Sequence, residues 1–162
     1  MDFQGLIDSI DGEKVSDDHS IMIIKESLRF VFNKNNHDNL ESTFMKHGFL
    51  IPHDYKTFIT KYSSASLFVH ERYGGGFDVL SPERVILYWK DYSIDHPYYP
   101  IIWSSHSVGM VCVNQERIDD ESGYLTWISS MEPDEPMELK LNFVNWLRML
   151  IEYNGAEFWL NE

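Results

Sequence analysis

The segment Ser104-Ser105-His106-Ser107 combines hydroxyl nucleophiles with an imidazole base. These residue types carry out acyl transfer in serine hydrolases, where the nucleophile, the base and an orienting carboxylate come from separate elements. Here the candidates are chain neighbours, and the side chains of adjacent residues rarely point the same way. The segment therefore favours a polar loop over a hydrolytic centre.

Paired carboxylates occur at Asp119-Asp120 and at Asp134-Glu135. Two carboxyl groups can hydrolyse a glycosidic bond when an apolar pocket raises the pKa of one of them. Both pairs fall in polar stretches, and no apolar pocket is predicted around either. We therefore expect the chain not to be an enzyme.

The sequence also gives little indication of metal, phosphate or thiol chemistry. Among seven histidines, only His47 and His53 are close together, and a predicted helix end and a turn separate them. Gly74-Gly75-Gly76 is not followed by the Lys-Ser/Thr pair of a phosphate-binding loop. Cys112, the single cysteine, lies in an apolar run that predicts a buried, unreactive thiol. We expect no metal and no cofactor.

The net charge excludes some partners. The 162 residues include 26 acidic and 13 basic side chains, which gives a net charge of −13. A nucleic-acid reader needs a basic surface to meet phosphates, so we expect no nucleic-acid partner. The first ten residues contain Asp2 and Asp8 but no Lys or Arg, unlike a signal peptide, and no apolar run of ~18 residues predicts a membrane span. We therefore expect a cytoplasmic protein that does not bind membranes.

The acidic excess is concentrated in two windows. Residues 1–19 have a net charge of −5, residues 116–138 have −7, and the rest of the chain has −1. Such blocks are usually solvated loops, but they can also form a docking face that speeds association with a basic protein by ~10–10³-fold. The docking hypothesis nominates six carboxylates of the second window: Asp119, Asp120, Glu121, Glu132, Asp134 and Glu135.

Aromatic residues offer a second kind of contact. Tyr92, Tyr98, Tyr99 and Trp103 lie close together in the sequence. Their ordinary role is core and sheet packing, but Tyr and Trp are also enriched at interface hot spots, so we nominate Tyr98 and Trp103 as partner-binding residues. The C-terminal Phe158-Trp159-Leu160 either docks back on the sheet or contacts a second copy, which leaves a homodimer as an alternative.

Helical periodicity predicts the elements on both sides of a central β region. Apolar residues recur at helical spacing in residues 19–34, and Asp17-Asp18 ahead of them suit an N-terminal cap. Pro52 fits the first position of a helix. The predicted helices cover one turn around residues 3–10, then 19–34, 38–47, 52–62, 82–91 and 139–153.

Strand patterns fill the middle of the chain, at 69–73, 77–80, 99–104, 108–114 and 124–129. The acidic segment 115–122 is then a β–β connection, and two prolines make 132–136 a loop. This order predicts an α+β fold: a mostly antiparallel, curved β-sheet packed against N-terminal helices and a C-terminal helix. We expect one domain over 1–162, with a polar lead-in at 1–18 and a tail at 155–162.

An ordered set of motifs resembles the SUKH superfamily, of the Smi/Knr type. Its opening signature resembles Leu40-Glu41-x-x-Phe44-x-x-x-Gly48-x-x-Ile51-Pro52-x-Asp54-Tyr55-x-x-Phe58. Later segments of the family resemble, in the same order, Phe77-x-Val79-Leu80-Ser81-Pro82-Glu83, Tyr99-Pro100-Ile101-Ile102, Gly109 to Asn114, and Phe143-x-x-Trp146-Leu147. The resemblance spans roughly residues 38–151.

The resemblance implies binding rather than catalysis. Bacterial members of the superfamily are immunity proteins that neutralise a partner toxin, often a nuclease or deaminase, and fungal members are regulators linked to cell-wall synthesis. For this chain it implies an immunity protein against a toxin with a basic surface. The alternative is a regulatory or scaffold protein that binds a cellular protein through its aromatic surface.

Overall fold

A computed structural model describes residues 2–35 and 40–160, and within these ranges it shows five α-helices and nine β-strands. The helices are α1 (Phe3–Ser9), α2 (Leu40–Met45), α3 (His53–Lys61), α4 (Pro82–Asp91) and α5 (Phe143–Glu152). The strands are β1 (Glu13–Ser16), β2 (Ser20–Lys25), β3 (Leu28–Lys34), β4 (Tyr62–His70), β5 (Phe77–Val79), β6 (Tyr98–Ser104), β7 (Gly109–Asn114), β8 (Leu125–Ser129) and β9 (Met137–Glu138). The predicted α+β class is confirmed.

All nine strands belong to one antiparallel sheet whose spatial order is the order of the chain. Each strand pairs with its successor, so β1 and β9 are the two edges. Register shifts interrupt the β3–β4 and β6–β7 pairs. Such bulges bend strands and increase their twist, which suits the curved sheet that the sequence predicts.

The inner face of the sheet carries the main core. One row of registered residues crosses seven strands on this face: Ile21, Phe32, Ala65, Val79, Ile102, Val111 and Trp127. Helices α1, α3 and α5 meet through Phe3, Phe58 and Phe143, whose ring centroids lie 5.1–5.7 Å apart. These rings and the sheet row form one apolar cluster. Burial of this cluster is the dominant stabilising contribution to the fold.

The outer face is covered only in part. Its registered row is Val15, Met22, Val31, Ser66, Asp78, Trp103, Met110 and Ile128. Tyr88 and Tyr92, at the end of α4, pack against Trp103 with centroid distances of 5.6 and 5.5 Å. Every residue of β7 is buried, which shows that both faces of this strand are covered. The outer cover over β6–β8 forms the wall of the site described below.

The predicted helix over residues 19–34 is wrong, because this segment forms the β2–β3 hairpin. Glu26, with φ of 56°, lies in the turn between the two strands. Asp17 does not cap a helix: its Oδ1 accepts hydrogen bonds from the backbone N–H groups of His19 and Ser20 at 2.7 and 2.9 Å. These two bonds lower the pKa of Asp17 and stabilise the β1–β2 turn.

The other helices lie where the sequence predicts them, with small shifts at their ends. Helix α2 falls inside the predicted segment 38–47, of which residues 38 and 39 lie outside the described residues. In contrast, the predicted short strand 69–73 overlaps only the last residues of β4, which begins at Tyr62. The longest helices, α4 and α5, have ten residues. Within the described ranges, no helix combines the length and apolar character that a membrane crossing requires.

The first and last segments that the structure describes pack against the body of the protein. The segment predicted as a polar lead-in contains α1, where Phe3, Leu6 and Ile7 are buried. At the other end, Trp159 packs against Trp127 with ring centroids 5.5 Å apart. The C-terminal aromatic segment therefore docks back on the sheet, as one of the two sequence-based alternatives proposed.

Candidate functional site

The two acidic windows lie at opposite edges of the sheet. The described residues of the first window, 2–19, form α1, the edge strand β1 and the turn after it, whereas residues 116–138 include β8 and the other edge strand, β9. The structure therefore does not join the two windows into one acidic face. The docking-face hypothesis can concern only the second window, where all six nominated carboxylates lie.

The first nominated group is the 119–121 loop, which follows a 3-10 helix at Gln115–Arg117 in the β7–β8 connection. Asp120 accepts hydrogen bonds from the side chain and backbone of Ser122 at 2.7 and 2.9 Å. Arg117 donates to the same carboxylate at 2.8 Å. These contacts, with the Ser122 bonds first, lower the pKa of Asp120 to about 2. Asp120 is thus a fixed negative charge, and Asp119 and Glu121 beside it are exposed.

The second nominated group is the 132–135 loop, which connects β8 to β9 and exposes Glu132, Asp134 and Glu135. The backbone N–H of Glu132 donates to the carbonyl of Ser129 at 3.2 Å, and that of Glu135 donates to Glu132 at 3.1 Å. At the base of the loop, both the backbone and the hydroxyl of Ser130 donate to the carbonyl of Val108. These bonds give the loop a defined shape before any partner arrives.

A single arginine connects the 119–121 loop to the edge strand β9. Arg117 forms an ion pair with Asp120 at 2.8 Å and another with Glu138 of β9. Because β8 has five residues and lies between the loops, they are separated by its length, on the order of 15 Å. The structure therefore places all six nominated carboxylates along one edge of the sheet, in two groups at opposite ends of β8.

Beside this edge lies a cavity of about 340 Å³ on the outer face of the sheet. The cavity separates two segments, the turn between α4 and β6 and the loop between β8 and β9. We call this cavity the outer groove. Met110 and Ile128 of the sheet form its floor, and Tyr92 and Tyr98 line one side. Burial, followed by the charge of Glu138, raises the pKa of Tyr98, so its phenol is neutral near pH 7.

Two carboxylates line the outer groove: Asp95 belongs to the turn between α4 and β6, and Asp134 to the 132–135 loop. Within residues 2–35 and 40–160, no Lys, Arg or His forms an ion pair with either one. No described residue that lines the groove is basic. The groove is thus an apolar and aromatic cleft with uncompensated negative charge.

The nominated aromatic residues have different roles. Tyr98 lines the outer groove together with Asp134, so the structure unites one aromatic and one acidic residue that the sequence nominated separately. Trp103 lies behind the groove, where it supports Tyr88 and Tyr92. Tyr99 points to the inner face and belongs to the core, and its hydroxyl donates to the carbonyl of Leu50 at 2.7 Å.

The candidates for covalent and metal chemistry have structural roles. The hydroxyls of Ser104 and Ser107 donate to the carboxylate of Glu157 at 2.9 and 2.6 Å, which holds the C-terminal segment on the sheet. His106 is exposed and packs against Phe77. Cys112 is buried, as predicted, and burial raises its pKa. In the part of the chain that the structure describes, no three His, Cys, Asp or Glu side chains are grouped as metal ligands would be.

Sequence reasoning missed Asp95 and the apolar floor of the outer groove. The signal for the floor was present, because β7 reads Gly-Met-Val-Cys-Val and is apolar at successive positions. A strand that is apolar on both faces must be covered on both faces. Part of this cover comes from the turn after the predicted α4, and Asp95 lies in that turn.

Comparison with known proteins gives one distant relative. No protein-family model matches this sequence, and no solved structure matches it. The chain is 26% identical to an uncharacterised protein of Bacillus subtilis strain 168, YnaB, over 115 residues. The match covers 70% of this chain and 74% of the relative. The similarity therefore covers most of a bacterial protein whose role is uncharacterised.

Proposed function

We propose that this chain is a protein-binding module that acts in the cytoplasm as an immunity protein, and that it neutralises a toxin with a basic surface. One observation carries the proposal: the outer groove is apolar and aromatic, and it contains two carboxylates that form no ion pair with any described cationic side chain. A buried interface of this composition requires positive charge from outside the chain, because uncompensated carboxylates lose their hydration when a partner covers them.

The surroundings of the groove support a macromolecular partner. The 132–135 loop and the 119–121 loop place six carboxylates along the adjacent edge. Exposed rim charges mainly steer encounter and speed association, whereas the apolar centre of an interface provides most of the affinity. An aromatic groove with an acidic margin provides both contributions.

The resemblance to the SUKH superfamily supports the immunity role within this class. The segments that resemble the family's motifs lie on α2, α3, β5, α4, β6, β7 and α5. The match to a bacterial protein, YnaB, agrees with a bacterial role. The polar residues of the motifs, such as Asp54, contact other parts of the same chain, which fits a module that binds rather than catalyses.

The test starts from the genes that flank the gene for this chain, where the proposal predicts a large protein with a basic, toxic C-terminal domain. Bacteria that express this domain should stop growing, and co-expression of the chain should restore growth and yield a complex of the two proteins. Reversal of the charges in the 132–135 loop, E132K/D134K/E135K, should slow association and reduce its dependence on salt. The same change in the 119–121 loop, D119K/D120K/E121K, should have a weaker effect.

The matched control is D11K/E13K/D18K, which reverses three exposed carboxylates at the opposite edge of the sheet. It makes the same change in net charge and should leave the association rate nearly unchanged. The proposal is overturned if the domain is toxic and the chain neither binds it nor restores growth. It is also overturned if all three triple variants slow binding equally, because only net charge would then matter.

A regulatory or scaffold role is the second candidate, and exposed apolar residues favour it. Tyr92, which lines the outer groove, is 42% exposed, and Met131, in the adjacent loop, is 82% exposed. A partner that uses this aromatic surface would bind with little dependence on salt. Tyr98→Ala would then abolish binding with the fold intact, whereas Trp103→Ala would also loosen α4, because Trp103 supports Tyr88 and Tyr92.

A further inference from the structure

The outer groove has features that specify the chemistry of its occupant. We infer that it receives an arginine side chain presented by a peptide segment of the partner. This inference rests on the proposed protein-binding function and assigns a recognition element to it. Three observations carry it: the size of the groove, its two unpaired carboxylates and its tyrosine-lined side.

The size fits a side chain rather than a whole folded element. A cavity of about 340 Å³ is at the small end of the range for ligand sites, ~300–1,000 Å³. Its floor, Met110 and Ile128, is apolar and suits the methylene stem of a long side chain. A helix has a diameter of ~10 Å or more and would not enter a cavity of this volume.

The charge requires a cation at the far end of that stem. Asp95 and Asp134 come from opposite sides of the groove, and no basic group of the described residues pairs with either. A cation between them would compensate both carboxylates at once. The ion pairs would be partly shielded from water by the occupant itself, and this strengthens them.

The aromatic side favours arginine over lysine. Tyr92 and Tyr98 line the groove, and Tyr92 is held by stacking on Trp103 at 5.5 Å. A guanidinium group is planar, stacks on aromatic faces and can bond two carboxylates with its five N–H donors. An ammonium group is a strongly hydrated point charge and interacts less favourably with tyrosine rings.

The surface next to the groove favours a peptide segment over a free small cation. Met131 is exposed three residues before Asp134, in the loop that follows β8. A small cation would leave this side chain in water. An apolar residue next to the arginine would cover it, so we expect a short segment in which an arginine is flanked by apolar residues.

The direct test measures binding of the capped peptide Gly-Leu-Arg-Leu-Gly to the intact chain by calorimetry and NMR at low salt. The matched probes are the same peptide with lysine, the same peptide with citrulline, which keeps the shape of arginine without its charge, and spermidine. We expect the arginine peptide to bind most tightly, the citrulline peptide to bind at least about tenfold more weakly, and NMR shifts to centre on Met110 and Ile128.

Protein variants locate the site. D95N/D134N keeps the shape of both side chains and should lower the affinity for the arginine peptide by about tenfold or more. The control D18N/E71Q removes two exposed charges elsewhere and should leave its affinity unchanged. Circular dichroism of the variants establishes that each is folded.

The inference is overturned by any of three results: no binding of the arginine peptide, equal binding of arginine and citrulline peptides, or spermidine binding as tight as the arginine peptide. These results are distinct from failure of the proposed function. A groove that binds the arginine peptide in a chain that does not neutralise the neighbouring domain would keep the recognition site and remove the immunity role. Neutralisation that D95N/D134N does not affect would keep the immunity role and remove this site.

Discussion

The phenol of Tyr124, just before β8, donates a hydrogen bond to Oδ1 of Asp54 in α3 at 2.5 Å. The other carboxylate oxygen of Asp54 accepts the backbone N–H of Val144 at 3.0 Å, and the Tyr124 oxygen accepts that of Phe143 at 3.1 Å. Together they satisfy two backbone donors in the first turn of α5. Asp54, which is 90 positions from Val144, and Tyr124, which is 19 positions from Phe143, thus cap α5 from two other parts of the chain.

The first prediction concerns this cap. Asp54→Ala removes the carboxylate that accepts hydrogen bonds from the Tyr124 phenol and from the backbone N–H of Val144. The buried Tyr124 hydroxyl then has no acceptor. We expect the free energy of unfolding to fall by about 2–3 kcal/mol in urea denaturation. The control is Asp2→Ala, which removes a local cap from α1 only. A smaller loss for Asp54→Ala than for the control would contradict the role of Asp54 as a long-range cap.

The second prediction is a loss of stability at alkaline pH. Burial raises the pKa of Tyr55, Tyr99 and Tyr124 in the folded protein, and for Tyr124 the Asp54 carboxylate adds to this effect. In the unfolded chain these phenols ionise near pH ~10. Their contribution to stability is therefore complete below that pH and is lost above it, at about 1.4 kcal/mol per pH unit for each tyrosine.

Urea midpoints measured between about pH 8 and pH 11 test this slope. Tyr124→Phe removes one ionising group, so its stability should decline more gradually than that of the parent chain. If absorbance shows all nine tyrosines ionising together near pH ~10 while the chain is still folded, the burial argument is wrong.

The third prediction concerns Asp120. Its pKa should be about 2, because Ser122 and Arg117 hold the charged form. This stabilisation is present above the ordinary pKa of an aspartate and is lost as the pH falls through the pKa of the folded protein. Carboxyl ¹³C NMR titration measures the value directly. Ser122→Ala should raise it toward the ordinary range, and an unchanged value would show that the Ser122 bonds do not fix this charge.

The fourth prediction concerns Gly109, at the start of β7. A Cβ atom added here would lie 2.5 Å from the ring of Trp127, a contact that requires the ring to move. We expect Gly109→Ala to lower the free energy of unfolding by about 1–3 kcal/mol, measured in urea. Trp127→Phe removes the ring atoms in conflict, so the loss from Gly109→Ala should be smaller in that background. Equal losses in both backgrounds would exclude this clash as the cause.

Elements with a local cause could be predicted from the sequence. Ser81 and Pro82 start α4 as a helix cap and a first-turn proline, and the apolar stripe of α3 alone identifies its buried side. The β2–β3 hairpin could not be predicted in this way. Its apolar residues fit helical spacing, but Ile21, Ile23 and Phe32 pair with neighbours in the sheet. Pairing of β3 with β4, about 30 residues away in sequence, favours the strand over the helix that the apolar spacing predicts.

For the candidate site, the residue types alone determined three features: the acidic second window, the aromatic residues from Tyr92 to Trp103, and a β7 strand that is apolar on both faces. Only the tertiary structure decided that Tyr98, Asp134 and Asp95 line one groove, and that the first acidic window lies at the far edge. The physical reason is that residue type fixes charge and apolarity, whereas distance between side chains depends on strand order and register, which pairing along the whole sheet sets.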